Sequence, residues 1–245
     1  MSESVVVSNL RKVYRGGVVA VDGLSFTVKR GEIYGLVGPN GSGKTTTLRI
    51  IATLLKPTSG DVLVEGYSVV HQPMAVRSMI GYLPEEAGAY RDLTGYDFIE
   101  FMLSIRFKGR ELEERIDEAI SISDLGEFIE EPVKKYSKGM KRILALSVAL
   151  AIHPRVLVLD EPTSGLDVEK SMFVRELIKR YREREGITVI LSSHNMLEVE
   201  NLCDRVGIMY KGKLIAEGEV QRLKSAYSAS NLEEVFLRAV KHHGV

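Results

Sequence analysis

The feature that most constrains this chain is the run Gly38-Pro39-Asn40-Gly41-Ser42-Gly43-Lys44-Thr45, which fits the pattern G-x-x-x-x-G-K-[ST] without a mismatch. The glycines let the backbone curl so that successive N–H groups face one anion. Lys44 places a positive charge near the outer phosphates of a nucleotide, and the Thr45 hydroxyl can ligate Mg²⁺. The run therefore predicts a site for a nucleoside triphosphate with magnesium.

The segments on either side of this loop favour the same interpretation. Ile33-Tyr34-Gly35-Leu36-Val37 is typical of a short buried strand. Lys44 to Leu55 is typical of a helix, whose N-terminus would point its dipole at the phosphates. The alternative is a glycine-rich turn that matches the pattern by chance, and the flanking strand and helix count against it.

The rest of the chain predicts an α/β fold with a helical insertion. Val156–Leu159 and Thr188–Leu191 are short and wholly apolar, as expected of central parallel strands. From about Thr94 to Lys135 the strand pattern disappears, and apolar residues recur at helical spacing. No internal repeat or low-complexity linker interrupts the sequence, so we predict one compact unit.

Composition excludes several classes of protein. Lys plus Arg and Asp plus Glu both total 33, which argues against a mainly electrostatic nucleic-acid binder and leaves a local basic patch as the alternative. The single cysteine, Cys203, cannot form an internal disulfide and favours a reducing compartment. No uninterrupted apolar run reaches the length of about 18 residues that a membrane span needs. Any membrane connection is therefore expected to come through a partner.

An acidic pair follows one of the predicted central strands. Asp160 stands at the carboxyl end of Val156–Leu159, the edge at which ligands of open α/β sheets gather, and could reach a Mg²⁺ held by Thr45. Glu161 could accept a proton from an attacking water or orient it. On its own the pair could equally open a helix. Combined with the loop at 38–45, it predicts a hydrolytic site.

With these motifs in this order, nearly the whole chain resembles the ATP-binding cassette family, the nucleotide-binding subunits of ABC transporters. The resemblance identifies 38–45 as the Walker A loop, with Thr46 near the α-phosphate, and Val156–Asp160 as Walker B. It implies that Glu161 is the catalytic glutamate, that Asp167 lies in the D-loop and that His194 is the switch histidine. The tail Asn231–Phe236 resembles members that work with exporter-type membrane subunits.

Two further family positions have an ordinary structural alternative. Tyr14 stands where the family places an aromatic ring on adenine, although it could be a plain strand tyrosine. Tyr136-Ser137-Lys138-Gly139-Met140 stands where the signature L-S-G-G-Q belongs, and only Ser137 and Gly139 match it. Ser137 can cap the following helix, and the resemblance adds that this helix end faces the γ-phosphate of ATP bound to a second copy. It thus implies a head-to-tail dimer.

The chain departs from the family at Glu85, which fills the place of a glutamine in the loop after Ile80-Gly81-Tyr82-Leu83. Glutamine offers a neutral carbonyl and an amide, whereas glutamate offers only oxygen acceptors and a negative charge. We therefore name Glu85 as a candidate for both the Mg²⁺ ligand set and the catalytic set. Its charge could strengthen Mg²⁺ binding, or it could repel Glu161 and the γ-phosphate.

The resemblance implies a P-loop NTPase mixed-sheet core with an antiparallel β subdomain and an inserted helical subdomain. We expect one ATP-binding domain over 1–245, with the core and β subdomain in 1–93 and 136–245 and the helical subdomain in about 94–135. The implied function is an ATP-binding, ATP-hydrolysing transporter subunit that drives a separate integral membrane subunit by ATP-driven dimerisation. It would be cytoplasmic and peripheral on the inner face of the cell membrane.

In the family, the membrane subunit inserts a short helix near the segment that corresponds to 82–107 here. This segment carries four aromatic residues that could line a groove or form the core of the helical insertion: Tyr90, Tyr96, Phe98 and Phe101.

The alternative function is a soluble ABC-type ATPase in DNA repair or translation. Only about 115 residues without sustained heptads separate Thr45 from Asp160, which leaves no room for a long coiled coil. One cysteine cannot build the zinc sites of excision-repair members, and translation factors carry two cassettes in one chain. A kinase or small GTPase is a more distant option, and the motifs at Ser137 and Ser164–Asp167 count against it.

Overall fold

A computed structural model describes residues 2–86 and 90–242 of the chain. The strands lie in two sheets: β1 Glu3–Val13, β2 Val19–Lys29, β3 Ile33–Val37, β4 Ser59–Val64, β5 Tyr67–Ser68, β6 Ile80–Leu83, β7 Val156–Asp160, β8 Thr188–Ser193, β9 Arg205–Tyr210 and β10 Lys213–Glu219. The helices are α1 Lys44–Ile51, α2 Pro73–Met79, α3 Gly95–Ser104, α4 Arg110–Ser123, α5 Lys138–Ala151, α6 Val168–Glu185, α7 Met196–Leu202, α8 Val220–Ala226 and α9 Leu232–His242.

The larger sheet is mixed and has the strand order β10-β9-β3-β8-β7-β6. Its pairs are parallel from β9 to β6, and only β10 runs antiparallel to its neighbour. The central strands β3, β7 and β8 are buried along their whole length, which explains their unbroken apolar sequences. Because these strands are parallel, their carboxyl ends meet at one edge of the sheet, where the segments at 38–45, 160–161 and 194 begin.

The smaller sheet is antiparallel, with the order β2-β1-β4-β5. It packs over α1 and the larger sheet, and the rings of Phe26 and Tyr34 stack across this layer with centroids 5.1 Å apart. The two sheets confirm the predicted α/β class with a mixed-sheet core and an antiparallel β part.

The segment between β6 and α5 is helical, as predicted. It contains α3, α4 and two short 3₁₀ helices, Gly126–Glu130 and Val133–Lys135. A capping box between Thr94 and Asp97 starts α3. Phe98 and Ile116 join the same hydrophobic core as Leu144 of α5. Whether residues 94–135 act as a subdomain remains a prediction.

The first helix after the glycine-rich loop is shorter than predicted. We expected it to reach Leu55, but α1 ends at Ile51. Thr53 adopts a left-handed conformation with φ of 60°, and the Leu54 N–H bonds back to the Arg49 carbonyl. This turn closes the helix end, so helical spacing of apolar residues alone overestimated its length.

Within residues 2–86 and 90–242, the model contains no helix whose length and hydropathy would let it cross a membrane.

We predict that Gly81→Ala destabilises the fold. A Cβ at Gly81 would lie 2.5 Å from the carbonyl oxygen of Ala149, so β6 and α5 would have to separate. Overpacking of this kind lowers the free energy of unfolding by about 1–3 kcal/mol, which urea denaturation measures. The control is Gly218→Ala, whose Cβ would meet the Leu223 side chain no closer than 3.4 Å. Equal stabilities of the two variants would contradict the close approach.

Candidate active site

The glycine-rich loop connects β3 to α1 and wraps around its own lysine. Gly38 has φ of 153° and Gly43 has φ of 105°, and a Cβ on either would lie within 2.4 Å of a backbone carbonyl oxygen. Glycine is therefore required at both positions. The Ser42 hydroxyl is buried, and within the described residues it has no hydrogen-bond partner. A buried hydroxyl left free in this loop fits a phosphate oxygen.

Lys44 is buried at the first position of α1. Its Nζ donates to the carbonyl oxygens of Gly38, at 2.7 Å, and Pro39, at 3.2 Å, and lies 3.8 Å from Glu161 Oε1. Burial lowers the pKa of Lys44, and the nearby Glu161 carboxylate opposes that shift most strongly. The loop thus fixes a cationic group inside the turn that is expected to receive the phosphates.

A chain of hydrogen bonds joins the loop to the ends of β7 and β8. Thr45 Oγ1 and Ser192 Oγ both donate to Asp160 Oδ1, at 3.0 and 2.7 Å. Asp160 Oδ2 is buried and lacks a hydrogen-bond partner within the described part of the chain. A free carboxylate oxygen beside a threonine hydroxyl is a donor set suited to a hard cation such as Mg²⁺. The two predicted ligands Thr45 and Asp160 therefore fit magnesium.

Glu161 lies at the centre of the candidate site. Its Oε2 is 2.8 Å from Nδ1 of His194, and its Oε1 faces Lys44. Its backbone is left-handed, with φ of 50°, and its N–H donates to Ser192 Oγ at 2.9 Å. The glutamate side chain is buried, whereas His194 is half exposed. A carboxylate held in this way between a cation and a histidine can accept a proton from a water.

Tyr14 also reaches the glycine-rich loop. Its hydroxyl lies 3.2 Å from Oγ1 of Thr46, and its ring is partly exposed, with the Lys12 ammonium 5.5 Å from the ring centroid. The structure thus brings Tyr14 next to a predicted phosphate contact. An exposed ring at this position is compatible with stacking on a base, and that role remains a prediction.

Three predicted residues lie apart from the loop. Ser137 caps α5 by accepting from Met140 N at 3.2 Å, and Asp167 caps α6 by accepting from Lys170 N at 2.8 Å, a bond that lowers the pKa of its carboxyl. The Lys170 side chain lies over Gly139, where a Cβ would be 2.1 Å from Lys170 Cδ. Among the described residues, no hydrogen bond or ion pair joins Ser137, Gly139 or Asp167 to residues 38–45.

Glu85 lies on the same edge of the sheet with an exposed side chain. Its carboxylate is close enough for its charge to oppose the lowering of the Lys44 pKa. In the described chain, no hydrogen bond joins this carboxylate to Thr45 or Asp160. The predicted roles of Glu85 in metal binding and catalysis remain predictions.

Sequence reasoning missed Ser192 and Arg142. Ser192 holds both Asp160 and Glu161, yet its sequence shows only a hydroxyl before His194. Arg142 is 2% exposed, and its guanidinium donates to backbone carbonyls in the segments after β6 and β7. The sequence feature that could have identified Arg142 is its position as a charged residue directly before the almost wholly apolar stretch of α5.

The chain is similar to several known proteins. A family model described as ABC transporter matches residues 21–164. The chain is 39% identical over 224 residues to the uncharacterized ABC transporter ATP-binding protein YhcH of Bacillus subtilis, covering 91% of this chain and 72% of that protein. It is 38% identical over 224 residues to the bacitracin transport ATP-binding protein BcrA of Bacillus licheniformis, with the same coverage.

A solved structure has the same fold. It is described as a dimeric structure of a post-hydrolysis state of the ATP-binding cassette MJ0796 bound to ADP and Pi. It matches with a TM-score of 0.81 and 27% sequence identity, covering 88% of this chain and 98% of that one.

We predict that Ser192→Ala lowers the free energy of unfolding by about 1–3 kcal/mol, because it leaves the buried Glu161 N–H without an acceptor. Urea denaturation measures the change. The matched control is Ser147→Ala, because that buried hydroxyl donates only to the Leu144 carbonyl of its own helix. A loss no larger than that of the control would contradict the bridging role of Ser192.

Proposed function

Because this chain belongs to the ABC transporter family and is an ATP-binding, ATP-hydrolysing transporter subunit, we propose that Glu161 is its general base and that the loop at 38–45 holds the triphosphate. The observation that carries the proposal is the position of Glu161. Its carboxylate lies between Lys44 and His194, and Asp160 and Thr45 are bonded directly beside it. This placement brings a proton acceptor next to the expected γ-phosphate.

Hydrolysis at this site requires one proton transfer. A water attacks the γ-phosphorus while Glu161 accepts its proton, and the bond to the β-phosphate oxygen breaks to give ADP and phosphate. Lys44 and the N–H groups of the loop stabilise the charge on the transferred phosphoryl group. His194 holds the Glu161 carboxylate in place. Magnesium held by Thr45 and Asp160 would supply further neutralisation of phosphate charge.

We also propose that two copies complete two ATP sites head to tail. Ser137 is exposed at the N-terminus of α5 and has no bond to the loop of its own chain within the described residues. The orphan N–H groups of a helix N-terminus suit an anion, so Ser137 and Gly139 of one copy would face the γ-phosphate of the other. Lys170, which covers Gly139, would have to move aside. The dimeric state described for MJ0796 supports this arrangement.

We predict that Glu161→Gln nearly abolishes ATP hydrolysis but keeps an ATP-stabilised dimer, because the amide cannot accept the proton and the binding residues are intact. Phosphate release and sedimentation with ATP and Mg²⁺ measure the two properties. Glu183→Gln, at an exposed position of α6, is the control and should turn over normally. Normal turnover in Glu161→Gln would refute the assignment, and hydrolysis unaffected by EDTA would refute the magnesium requirement.

The membrane partner is proposed to bind an apolar groove between α3 and α5. The groove has a volume of about 310 Å³, and its lining residues include Tyr82, Pro84, Met102 and Ile105. The predicted segment 82–107 includes 87–89, which lie outside the described residues. We propose that a short amphipathic helix of an integral membrane subunit occupies the groove, with 94–135 as the receiving subdomain.

The four aromatic residues of this segment divide between core and surface. Phe98 is only 4% exposed, so it belongs to the core. Tyr90, Tyr96 and Phe101 are exposed, and the rings of Tyr90 and Phe101 meet edge to face with centroids 5.3 Å apart. The exposed three therefore remain available to a partner.

We propose that the chain is cytoplasmic and peripheral on the inner face of the cell membrane through its partner. The transport of bacitracin named for BcrA supports a transporter role and gives no ground for a role in DNA repair or translation.

We predict that Ile105→Glu lowers recovery of the membrane subunit at least about tenfold in co-purification, because a charge in an apolar groove must be desolvated on binding. Ile105 is 69% exposed, so the variant should fold and bind ATP normally. The control is Leu237→Glu, at a similarly exposed apolar position on α9. Undiminished recovery with Ile105→Glu would show that the partner binds elsewhere.

A further inference from the structure

Arg142 connects two loops that the sequence keeps far apart. It lies one turn into α5, where its Nη1 donates to the carbonyl oxygens of Pro84, at 2.5 Å, and Glu85, at 2.6 Å. Its Nε donates to Pro162 O at 3.0 Å, and its Nη2 donates to the carbonyls of Asp160 and Glu161. One rigid guanidinium thus binds the segment after β6 and the segment after β7 at once.

The buried charge of Arg142 is not balanced by an ion pair within the described residues. Among the described residues, no carboxylate oxygen lies within ion-pair distance of its guanidinium, and five backbone carbonyls surround it instead. Burial lowers the pKa of Arg142, against the nearby charges of Asp160, Glu85 and Glu161. A buried cation is costly, and apolar groups of similar volume commonly give equal stability. Stability alone therefore gives little reason for an arginine here.

The Glu161 backbone is the strained end of this connection. Glutamate rarely adopts the left-handed conformation, which costs on the order of 1 kcal/mol or more and persists only where the surroundings hold it. Here both sides of the residue are held, because its N–H donates to Ser192 and its carbonyl accepts from Arg142. Arg142 and Ser192 thus hold the Glu161 backbone from its two ends.

The other end of the connection lies at the groove between α3 and α5. Pro84 lines that groove, and its carbonyl oxygen is one of the Arg142 acceptors. A partner that shifts Pro84 would therefore move a group bonded to the same guanidinium as Glu161. The Arg142 side chain thus bridges the wall of the groove and the backbone of the proposed base.

We propose that Arg142 is a positioning residue that couples the Pro84–Glu85 loop to the backbone of Glu161. The inference rests on the proposed function, because it takes Glu161 as the base and the groove as the site of the membrane subunit. Displacement of the loop changes the pull on the Glu161 carbonyl, and the carboxylate turns toward or away from Lys44 and His194. Occupancy of the groove thereby sets the rate of hydrolysis.

The first test measures steady-state hydrolysis by the purified chain with ATP and Mg²⁺. Arg142→Met keeps an unbranched apolar side chain about as long as the aliphatic stem of arginine but removes every donor, so we expect kcat to fall about 10–100-fold with KM within about threefold. Arg142→Lys keeps the positive charge but loses the planar set of guanidinium donors. Its kcat should lie between those of the wild-type chain and Arg142→Met. Lys141→Met, the adjacent basic residue on α5, is the control. An unchanged kcat in both Arg142 variants overturns the proposal.

A double-mutant cycle tests whether Arg142 acts through Glu161. In single turnovers, Arg142→Met should slow the Glu161→Gln chain by no more than about twofold, since the base is already absent. If the rate reductions of the two single variants multiplied in the double variant, Arg142 would act independently of Glu161, and the positioning role would be overturned. Normal turnover by Glu161→Gln alone would instead refute the proposed function, so the two failures are distinguishable. If Arg142→Met fails to fold, Arg142→Lys serves in the same cycle.

The coupling is tested with the complex of the chain and its membrane subunit. Arg142→Lys should still co-purify with that subunit but lose most of the change in ATP hydrolysis that the subunit causes in the wild-type chain. A full response to the subunit in Arg142→Lys would overturn the coupling.

Discussion

One oxygen atom, Oδ1 of Asp160, holds the candidate site together. It accepts from Thr45 on the helix after the glycine-rich loop and from Ser192 at the end of β8. Ser192 in turn accepts the N–H of Glu161. The carboxyl ends of three parallel strands are thereby fixed to one another by side chains. Within the described part of the chain, the second oxygen of Asp160 has no hydrogen-bond partner because both donors bond to the first, and this second oxygen is suited to a cation.

The site contains several groups whose burial or backbone conformation is energetically unfavourable, and the rest of the fold offsets this cost. Lys44 and Arg142 are buried cations whose pKa values burial lowers, and Glu161 has a left-handed backbone. The surrounding strands β3, β7 and β8 are wholly buried and can hold these groups in place. Costs of this kind are tolerated where they preorganise groups for a reaction. Lys44 and the Glu161 carboxylate lie together beside the proposed position of the γ-phosphate, and Arg142 holds the Glu161 backbone from behind.

The parts of the proposed mechanism that need other chains lie at the surface. Ser137 and Asp167 cap helices, and within the described residues neither is hydrogen-bonded to the loop of its own chain, which is compatible with a site completed by a second copy. The apolar groove between α3 and α5 shares Pro84 with the hydrogen bonds of Arg142. The Ser137 cap, the groove and the Arg142 bond to the Glu161 carbonyl thus all involve one helix, α5.

The sequence by itself determined the fold class, the position of the glycine-rich loop and the residues that surround it. These were predictable because a phosphate cradle, a buried parallel strand and an acidic strand end each need particular residue types at fixed spacing. The sequence could not give the roles of Ser192 and Arg142, since a serine before a histidine and an arginine beside an apolar run have many uses. The sequence pattern also overestimated the length of α1, because the left-handed turn that follows the helix is formed at Thr53 and not at a glycine. Only the tertiary structure placed Ser192 and Arg142 against Asp160 and Glu161, because hydrogen bonds between side chains and distant carbonyls depend on strand order and on how α5 packs.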